Sequence, residues 1–387
     1  MEHLSPEAIM ARLVGFPTVS RDSNLELVDW VEDYLAGHGI TAHRHPDETG
    51  QKAALFAHAG PPVEGGVVLS GHTDVVPVDG QAWSTDPFTV TEREGKYFGR
   101  GCADMKGFDA LAIWALVEAH RRGVNRPLQL ALSYDEEVGC IGAPPMIAAM
   151  QGVVPRADLA IIGEPTTMQA VTGHKGGLGY DVHVQGYEVH SSLMHRGVNA
   201  IMAAAPLIDW ANRMNAENRA KRPSELAAMF DPPWTTLHVG QIEGGTAHNI
   251  TAKDCRFGMD FRVVPGEDPE EWGARFIEEV RAAEAAMQAV RPETRIDARR
   301  KFTVPGLRPE EGGVAEALIR QVTGDNASHV VSYGTEAGQF QAAGYSAAIC
   351  GPGDIAQAHQ PDEFITRAQF EAGHGFMRSL VDRLAAG

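Results

Sequence analysis

Two histidines and five carboxylates stand where this chain could gather metal ions. His72 closes the apolar run "VVLSGH", and Asp74 follows two residues later, on the same side of an extended chain. Asp104 lies in the glycine-rich "GRGCADMKG", Glu136 and Glu137 are neighbours in "DEEVG", and Glu164 ends an apolar run in "GEP". His359 arrives late, in "QAHQPDEF". A pair of divalent ions roughly 3.5–4 Å apart needs a bridging carboxylate, further nitrogen or oxygen ligands, and a position open to water. Asp74 is spaced to accept the second ring N–H of His72. Of the adjacent glutamates, one could ligate while the other serves as base. Three carboxylates (Asp104, Glu137, Glu164) and one hydroxide would neutralise two divalent ions, as a partly buried site favours. Singly, each fragment has a plainer reading: a surface His–Asp pair, a solvated first helical turn, an ordinary turn, a capped helix start. Their convergence points to metal.

The elements that must position these groups are legible in the pattern. Four short apolar runs end in polar clusters: "GGVVLSGHTD", "LQLALSYDEE", "ADLAIIGEP" and "YSAAICGPGD". Helical patterns lie between them, such as "KGFDALAIWALVEAHRRG" with its basic last turn and glycine stop. Alternating strands and helices predict an α/β fold with a mostly parallel sheet flanked by helices. Ligands of such sheets sit beyond the carboxyl ends of the strands, where His72, Asp135 to Glu137 and Glu164 would all fall.

The middle of the chain follows another rhythm. "GYDVHVQG" alternates, a helix spans roughly Asn199 to Asn215, and "TTLHVGQIEGG" and "AKDCRFGMDFRVVPG" alternate again. A long helix capped by Asp268 and opened by Pro269 follows, then "TRIDARRKF". The order β-α-β-β-α-β predicts an inserted α+β ferredoxin-like domain. The expected division is an outer domain of residues 1–175 and 303–387 around an insert of 176–302.

Composition narrows the function classes. The chain has 387 residues, 43% apolar and 22% charged, with a formal charge of −18; the length predicts two domains. The acidic balance, without a clustered basic face, argues against nucleic acid. No run nears the roughly 20 apolar residues of a bilayer span, and the opening "MEHLSPEAIMARLVGFPTVS" reads as an amphipathic helix begun by Ser5 and Pro6 rather than a leader. The expectation is a cytoplasmic chain without a membrane partner. Cys102, Cys140, Cys255 and Cys350 form no C-x-x-C pair and read as buried thiols, the first two near the site without ligating.

At this point "SGHTDVVPV", "GRGCADMKG", "DEEVG", "GEPT" and "AHQPDEF" resemble, in order and approximate spacing, the motifs of the co-catalytic zinc hydrolases. That family includes acetylornithine deacetylase, succinyl-diaminopimelate desuccinylase, aminoacylase and carboxypeptidase G, and the likeness spans nearly the whole chain. The resemblance implies that His72 and Glu164 bind one zinc and Glu137 and His359 the other, with Asp104 bridging and Glu136 as general base. It also implies a cis peptide after Asp104, Co2+ or Mn2+ as alternative metals, and an insert that acts as lid and joins a homodimer. His190, in "YEVHSSLMHRGVNA", matches a family histidine that reaches the active site from the lid. Asn249 in "GGTAHNI" and Arg262 in "DFRVVPG" look like the family's carboxylate-binding elements, and a guanidinium suits a carboxylate.

"SYGTEAGQF", with Thr335 and Glu336, resembles acetylornithine deacetylases more than desuccinylases. It implies a small N-acyl amino acid as substrate: N2-acetyl-L-ornithine, whose deacetylation belongs to arginine biosynthesis. A free δ-ammonium would want an acid, and Glu336 or Asp354 could serve. Other N-acyl amino acids (acetyl-citrulline, succinyl-diaminopimelate) and dipeptides are the alternatives on the same scaffold. "GYSAA" lacks the last glycine of a nucleophile elbow, and neither H-E-x-x-H nor a phosphate-binding glycine loop occurs. A non-catalytic relative would have lost a ligand or the base, and all six are present.

Overall fold

The computed structural model describes residues 3–386; Met1, Glu2 and Gly387 of the expected outer domain lie outside the described residues. The chain divides into two compact units. The first runs to Gly173, resumes over Leu307–Val330 and continues from Thr335; the second is His174–Gly306 with Val331–Gly334. The divisions fall at 173/174 and 306/307, where the sequence suggested 175/176 and 302/303, and the residues just before Thr335 join the second unit.

The larger sheet has eight strands in the order Ala42–Pro46, Ala53–Ala59, Leu128–Ser133, Val67–His72, Leu159–Pro165, Ser346–Gly351, Val171–His174 and His329–Val331. Its centre, from Leu128–Ser133 to Ser346–Gly351, is parallel. Antiparallel pairs flank that centre on both sides. The central strands are buried on both faces, as their unbroken apolar runs require.

The helix Lys106–Arg122 is buried along most of its surface, packed between the sheet and the helices Pro6–Val14 and Arg367–Ala386. Two glycines let it approach the strand ends. A Cβ on Gly71 would lie 2.0 Å from Asp109 Oδ1, and one on Gly163 would lie 2.0 Å from the Phe108 ring. Each glycine immediately precedes a candidate ligand, His72 or Glu164. A small sheet, Phe364–Thr366 on Lys96–Phe98 on Thr91–Arg93, brings the late segment after His359 beside the loop that carries Asp104.

In the second unit the strands run Thr236–His238, Asp254–Val263, Gly176–Gln185 and Arg295–Val304, all antiparallel. Ile242–Gly244 also pairs with Asp254–Val263. The stretch "TTLHVGQIEGG" is thus two short strands, parted near Gly240, instead of one. The helices Ala200–Ala220 and Pro269–Gln288 pack on the sheet, around Trp210, Phe261 and Phe276. The first helix outruns its expected end at Asn215. Asn215 Nδ2 donates to Leu237 O at 2.7 Å, and Asn218 Nδ2 to Thr235 O at 2.9 Å, so carbonyls of the strand Thr236–His238 and of the residue just before it engage asparagines that would otherwise favour a stop. No helix among the described residues is long and apolar enough to cross a membrane.

Candidate metal centre

Parallel register sets the candidate ligands on one edge. His72 is level with Ser133 on the neighbouring strand, so the chain after Ser133 delivers Asp135, Glu136 and Glu137 beside it. Glu164, near the end of Leu159–Pro165, completes that edge. Asp104 occupies the loop before the buried helix, and the Asp104–Met105 peptide is cis. His359 comes from the loop preceding the small sheet, in a left-handed conformation with φ 63°.

These groups converge. His72 Nε2 lies 3.2 Å from Asp104 Oδ1 and 3.7 Å from Glu164 Oε1. His359 Nε2 lies 3.2 Å from Asp104 Oδ2 and 2.9 Å from Glu137 Oε2. Asp104 thus faces one histidine with each oxygen. Two ligands bound to one tetrahedral zinc at about 2.0–2.1 Å stand roughly 3.4 Å apart, which is the spacing found here. Ligand atoms of His72, Glu136 and Glu164, and of His72, Asp104 and Glu137, fall within 4.8 Å of one another.

A second layer holds the first. His72 Nδ1 donates to the backbone oxygen of Asp74 at 2.9 Å, while the Asp74 carboxylate stands 3.6 Å away. This corrects the expected role of Asp74. Its carboxylate accepts from the backbone N–H groups of Glu136 (3.1 Å) and Glu137 (3.3 Å) and from Ser20 Oγ (2.7 Å), so it anchors the acidic loop.

Glu363, present in "QPDEF" but not singled out from the sequence, is the other anchor. One oxygen accepts from the N–H groups of Gly101, Ala103 and Asp104 at 2.9–3.1 Å, and the other from buried Arg100 at 2.6 Å. Gln81 joins Arg100 to the His359 carbonyl. Cys140 Sγ lies 3.2 Å from Glu136 Oε1; all four cysteines are free and buried.

Electrostatics mark the centre as short of positive charge. Burial pushes Glu136 up to about 8, reinforced by Glu137 and Asp104. Burial likewise raises Glu137 and Glu164, with Asp104 adding to both. Burial would lift Asp104, but hydrogen bonds from His359 and His72 hold it well below the usual carboxylate range. Those bonds, to Asp104 and Glu137, raise His359 to about 10. Burial would lower His72, but Asp104, Glu136 and Glu164 carry it well above its ordinary value. Glu137 Oε1 and Glu164 Oε1 are buried with no hydrogen-bond partner among the described residues. Orphaned oxygens beside two imidazoles fit divalent cations and fit little else.

The expected substrate residues are divided between the two units. Thr335 is buried and its hydroxyl caps Ala337 N–H at 3.1 Å. Glu336 is 1% exposed, and its oxygens accept from Ser70 Oγ at 3.2 Å and from Ser133 Oγ. The resemblance implied substrate contact for both, whereas their side chains turn inward to hydrogen-bond partners of the first unit. Asp354 is exposed, its carboxylate capping Ala356 N–H at 2.9 Å. His190, Asn249 and Arg262 belong to the second unit. His190 Nδ1 accepts from Ser192 N–H at 3.2 Å, which leaves Nε2 as the protonated nitrogen of the neutral ring. Ser191 N–H donates to the Asn249 carbonyl at 2.9 Å, so these two segments adjoin. Arg262 Nε donates to Asp260 at 3.0 Å.

Residues 68–383 match peptidase family M20/M25/M40. The chain is 35% identical over 371 residues to an acetylornithine deacetylase of Myxococcus xanthus, covering 92% of each. Among solved structures it resembles an M20 family metallo-carboxypeptidase from Sulfolobus solfataricus (TM-score 0.81, 17% identity, 100% of both chains). It also resembles a dinuclear metal-binding M20 peptidase from Bacillus subtilis (TM-score 0.65, 12% identity, 98% of this chain and 98% of that one).

Proposed function

The chain belongs to peptidase family M20/M25/M40 and is a hydrolase of amide bonds, and from that premise we propose that it removes the acetyl group of N2-acetyl-L-ornithine, giving L-ornithine and acetate. The observation that carries the reading is the convergence of His72, His359, Asp104, Glu137 and Glu164 around Glu136, in a chain 35% identical to an acetylornithine deacetylase.

His72 and Glu164 would hold one divalent cation and Glu137 and His359 the other, zinc by preference, with Asp104 between them. Bound there, such a pair polarises a carbonyl and brings the pKa of water toward neutrality. Glu136 takes the proton of the attacking water and returns it to the leaving nitrogen. Asp74 holds the backbone N–H of Glu136, and the Cys140 thiol touches its carboxyl. His190, with Nε2–H as donor, serves the oxyanion, and Arg262 and Asn249 serve the substrate carboxylate. Asp354 takes the δ-ammonium. Its replacement by alanine should raise KM for acetylornithine several-fold while leaving N-acetyl-L-methionine unchanged; an equal effect on both would remove that role.

The second unit also supports a homodimer formed through this lid. Ile201, Met202 and Ile242 are 41%, 60% and 53% exposed on a helix start and an edge strand, and Ile201 lies against Gly244.

The deciding experiment follows amine release by metal-stripped protein before and after zinc or cobalt is returned. Acetylornithine, acetyl-citrulline, acetyl-methionine and succinyl-diaminopimelate would run side by side. Metal-restored turnover favouring acetylornithine is the expected result. Turnover of another member would keep the hydrolase and change the substrate.

A further inference from the structure

The stretch "TEAGQF", Thr335 to Phe340 of "SYGTEAGQF", reaches the centre from inside the first unit. Ser70, which donates to Glu336, stands two residues before His72 on the same face of its strand. Ser133, which donates to the other oxygen, is the register partner of His72 and lies two residues before Asp135. From the helix Ala337–Ala342, Gln339 Nε2 donates to the Cys140 carbonyl at 2.9 Å, and the Cys140 thiol touches Glu136. One segment therefore grips both the strand end that presents His72 and the loop that presents Glu136 and Glu137.

We propose that Glu336 is a positioning residue that locks the His72 strand end to the Glu136 loop through Ser70 and Ser133. The inference rests on the metal-dependent reading above and adds to it a residue that acts only through others. A carboxylate suits the place because its two oxygens accept one hydroxyl from each strand. Glutamine keeps the volume but turns one acceptor into a donor. Alanine leaves two buried hydroxyls without an acceptor and opens a void beneath the strand ends. The parallel pairing closes with Thr73 N–H donating to the Ser133 carbonyl at 3.0 Å, and the Glu336 tie at that level braces the two segments where they leave the sheet.

The test uses Glu336→Gln, Glu336→Ala and the Ser70→Ala/Ser133→Ala double variant. Three quantities are read: zinc affinity by titration of metal-stripped protein, kcat and KM on acetylornithine and acetyl-methionine, and Tm. Zinc affinity should fall about 10–100-fold in Glu336→Ala, as for other groups that orient metal ligands. kcat should fall on both substrates alike, with KM nearly unchanged. The serine double variant should reproduce the loss, and combining it with Glu336→Ala should add little, since all three act as one unit. Glu336→Gln and Ser133→Ala alone, which open smaller voids, carry the same test if Glu336→Ala does not fold.

A rise in KM confined to acetylornithine, with zinc affinity intact, would overturn the proposal in favour of a substrate acid. A lower Tm with wild-type zinc affinity and kcat would overturn it in favour of a purely structural role. If the parent protein binds zinc but turns over neither substrate, the proposed reaction fails, while the variants' zinc affinities still decide Glu336.

Discussion

Glu136 sits between two residues in left-handed backbone, Asp135 at φ 56° and Cys140 at φ 52°. Non-glycine residues adopt that region at a cost, and such strain gathers where a side chain must be aimed. Glu136→Gln keeps the volume and the backbone contact to Asp74 but cannot accept a proton. kcat should fall roughly 10²–10⁴-fold with metal content and circular dichroism unchanged. A loss under about tenfold would take the base role from Glu136. Asp74→Asn tests the layer behind it, since it weakens the acceptor for two backbone donors while leaving the carbonyl that holds His72. It should lower kcat while zinc affinity at the His72 side changes less.

The residue types of this site were readable because metal chemistry restricts them to histidine and carboxylate. The role of Asp74 was not. Period-two spacing applies along a strand, and the strand ends at His72, so the residue after next no longer shares its face. Glu363 stood inside a recognised motif, yet its role depends on the neighbouring Phe364 pairing with Phe98, which no local pattern announces.

At the scale of elements, the runs that end in polar clusters do form the central parallel strands, because strands buried on both faces have no alternative to continuous apolar residues. The antiparallel flanks and the split of "TTLHVGQIEGG" were hidden, since pairing direction depends on which strands meet and a three-residue strand carries little periodicity. What the elements demand most narrowly is close approach at the ligand end. Gly163→Ala would set a Cβ 2.0 Å from Phe108, a ring that is itself 2% exposed and has little room to turn. Overpacking of this kind costs about 1–3 kcal/mol, and here it also shifts Glu164, the next residue. The variant should lower Tm by several degrees and weaken zinc binding together. A lower Tm with unchanged zinc affinity would show that the helix, and not the strand end, gives way.

Across the whole molecule, five buried glutamates share one sign, while Asp104, held low by its two histidines, has its shift below this pH range. Glu136 stands at about 8, Glu336 and Glu363 at about 7, and Glu137 and Glu164 are raised too, each chiefly by burial. All five lie above their ordinary value of 4.5. Between pH 5 and 7 the folded chain without metal therefore keeps protons that the unfolded chain has released, and its stability falls as pH rises. His174 works the other way: burial lowers it to about 4, so the unfolded chain binds the extra proton as pH falls below about 6.5. Burial lowers His3, His58 and His374 in the same way, and Lys106, lowered to about 7, joins them near the top of the interval. His72 and His359 are raised and side with the five acids, so the groups that keep extra protons when folded outnumber those that have lost them. Divalent cations held by Glu137 and Glu164 take the place of the protons there, so loading releases protons and stabilises more at higher pH. Tm of the metal-free protein should fall from pH 5 to pH 7, and the gap to the zinc-loaded protein should widen over the same interval. The formal charge of −18 destabilises both forms through self-repulsion, so taking the gap largely cancels it. A gap that stays constant with pH would mean that these acids are not where the cations bind, and the metal centre would have to be sought elsewhere in the chain.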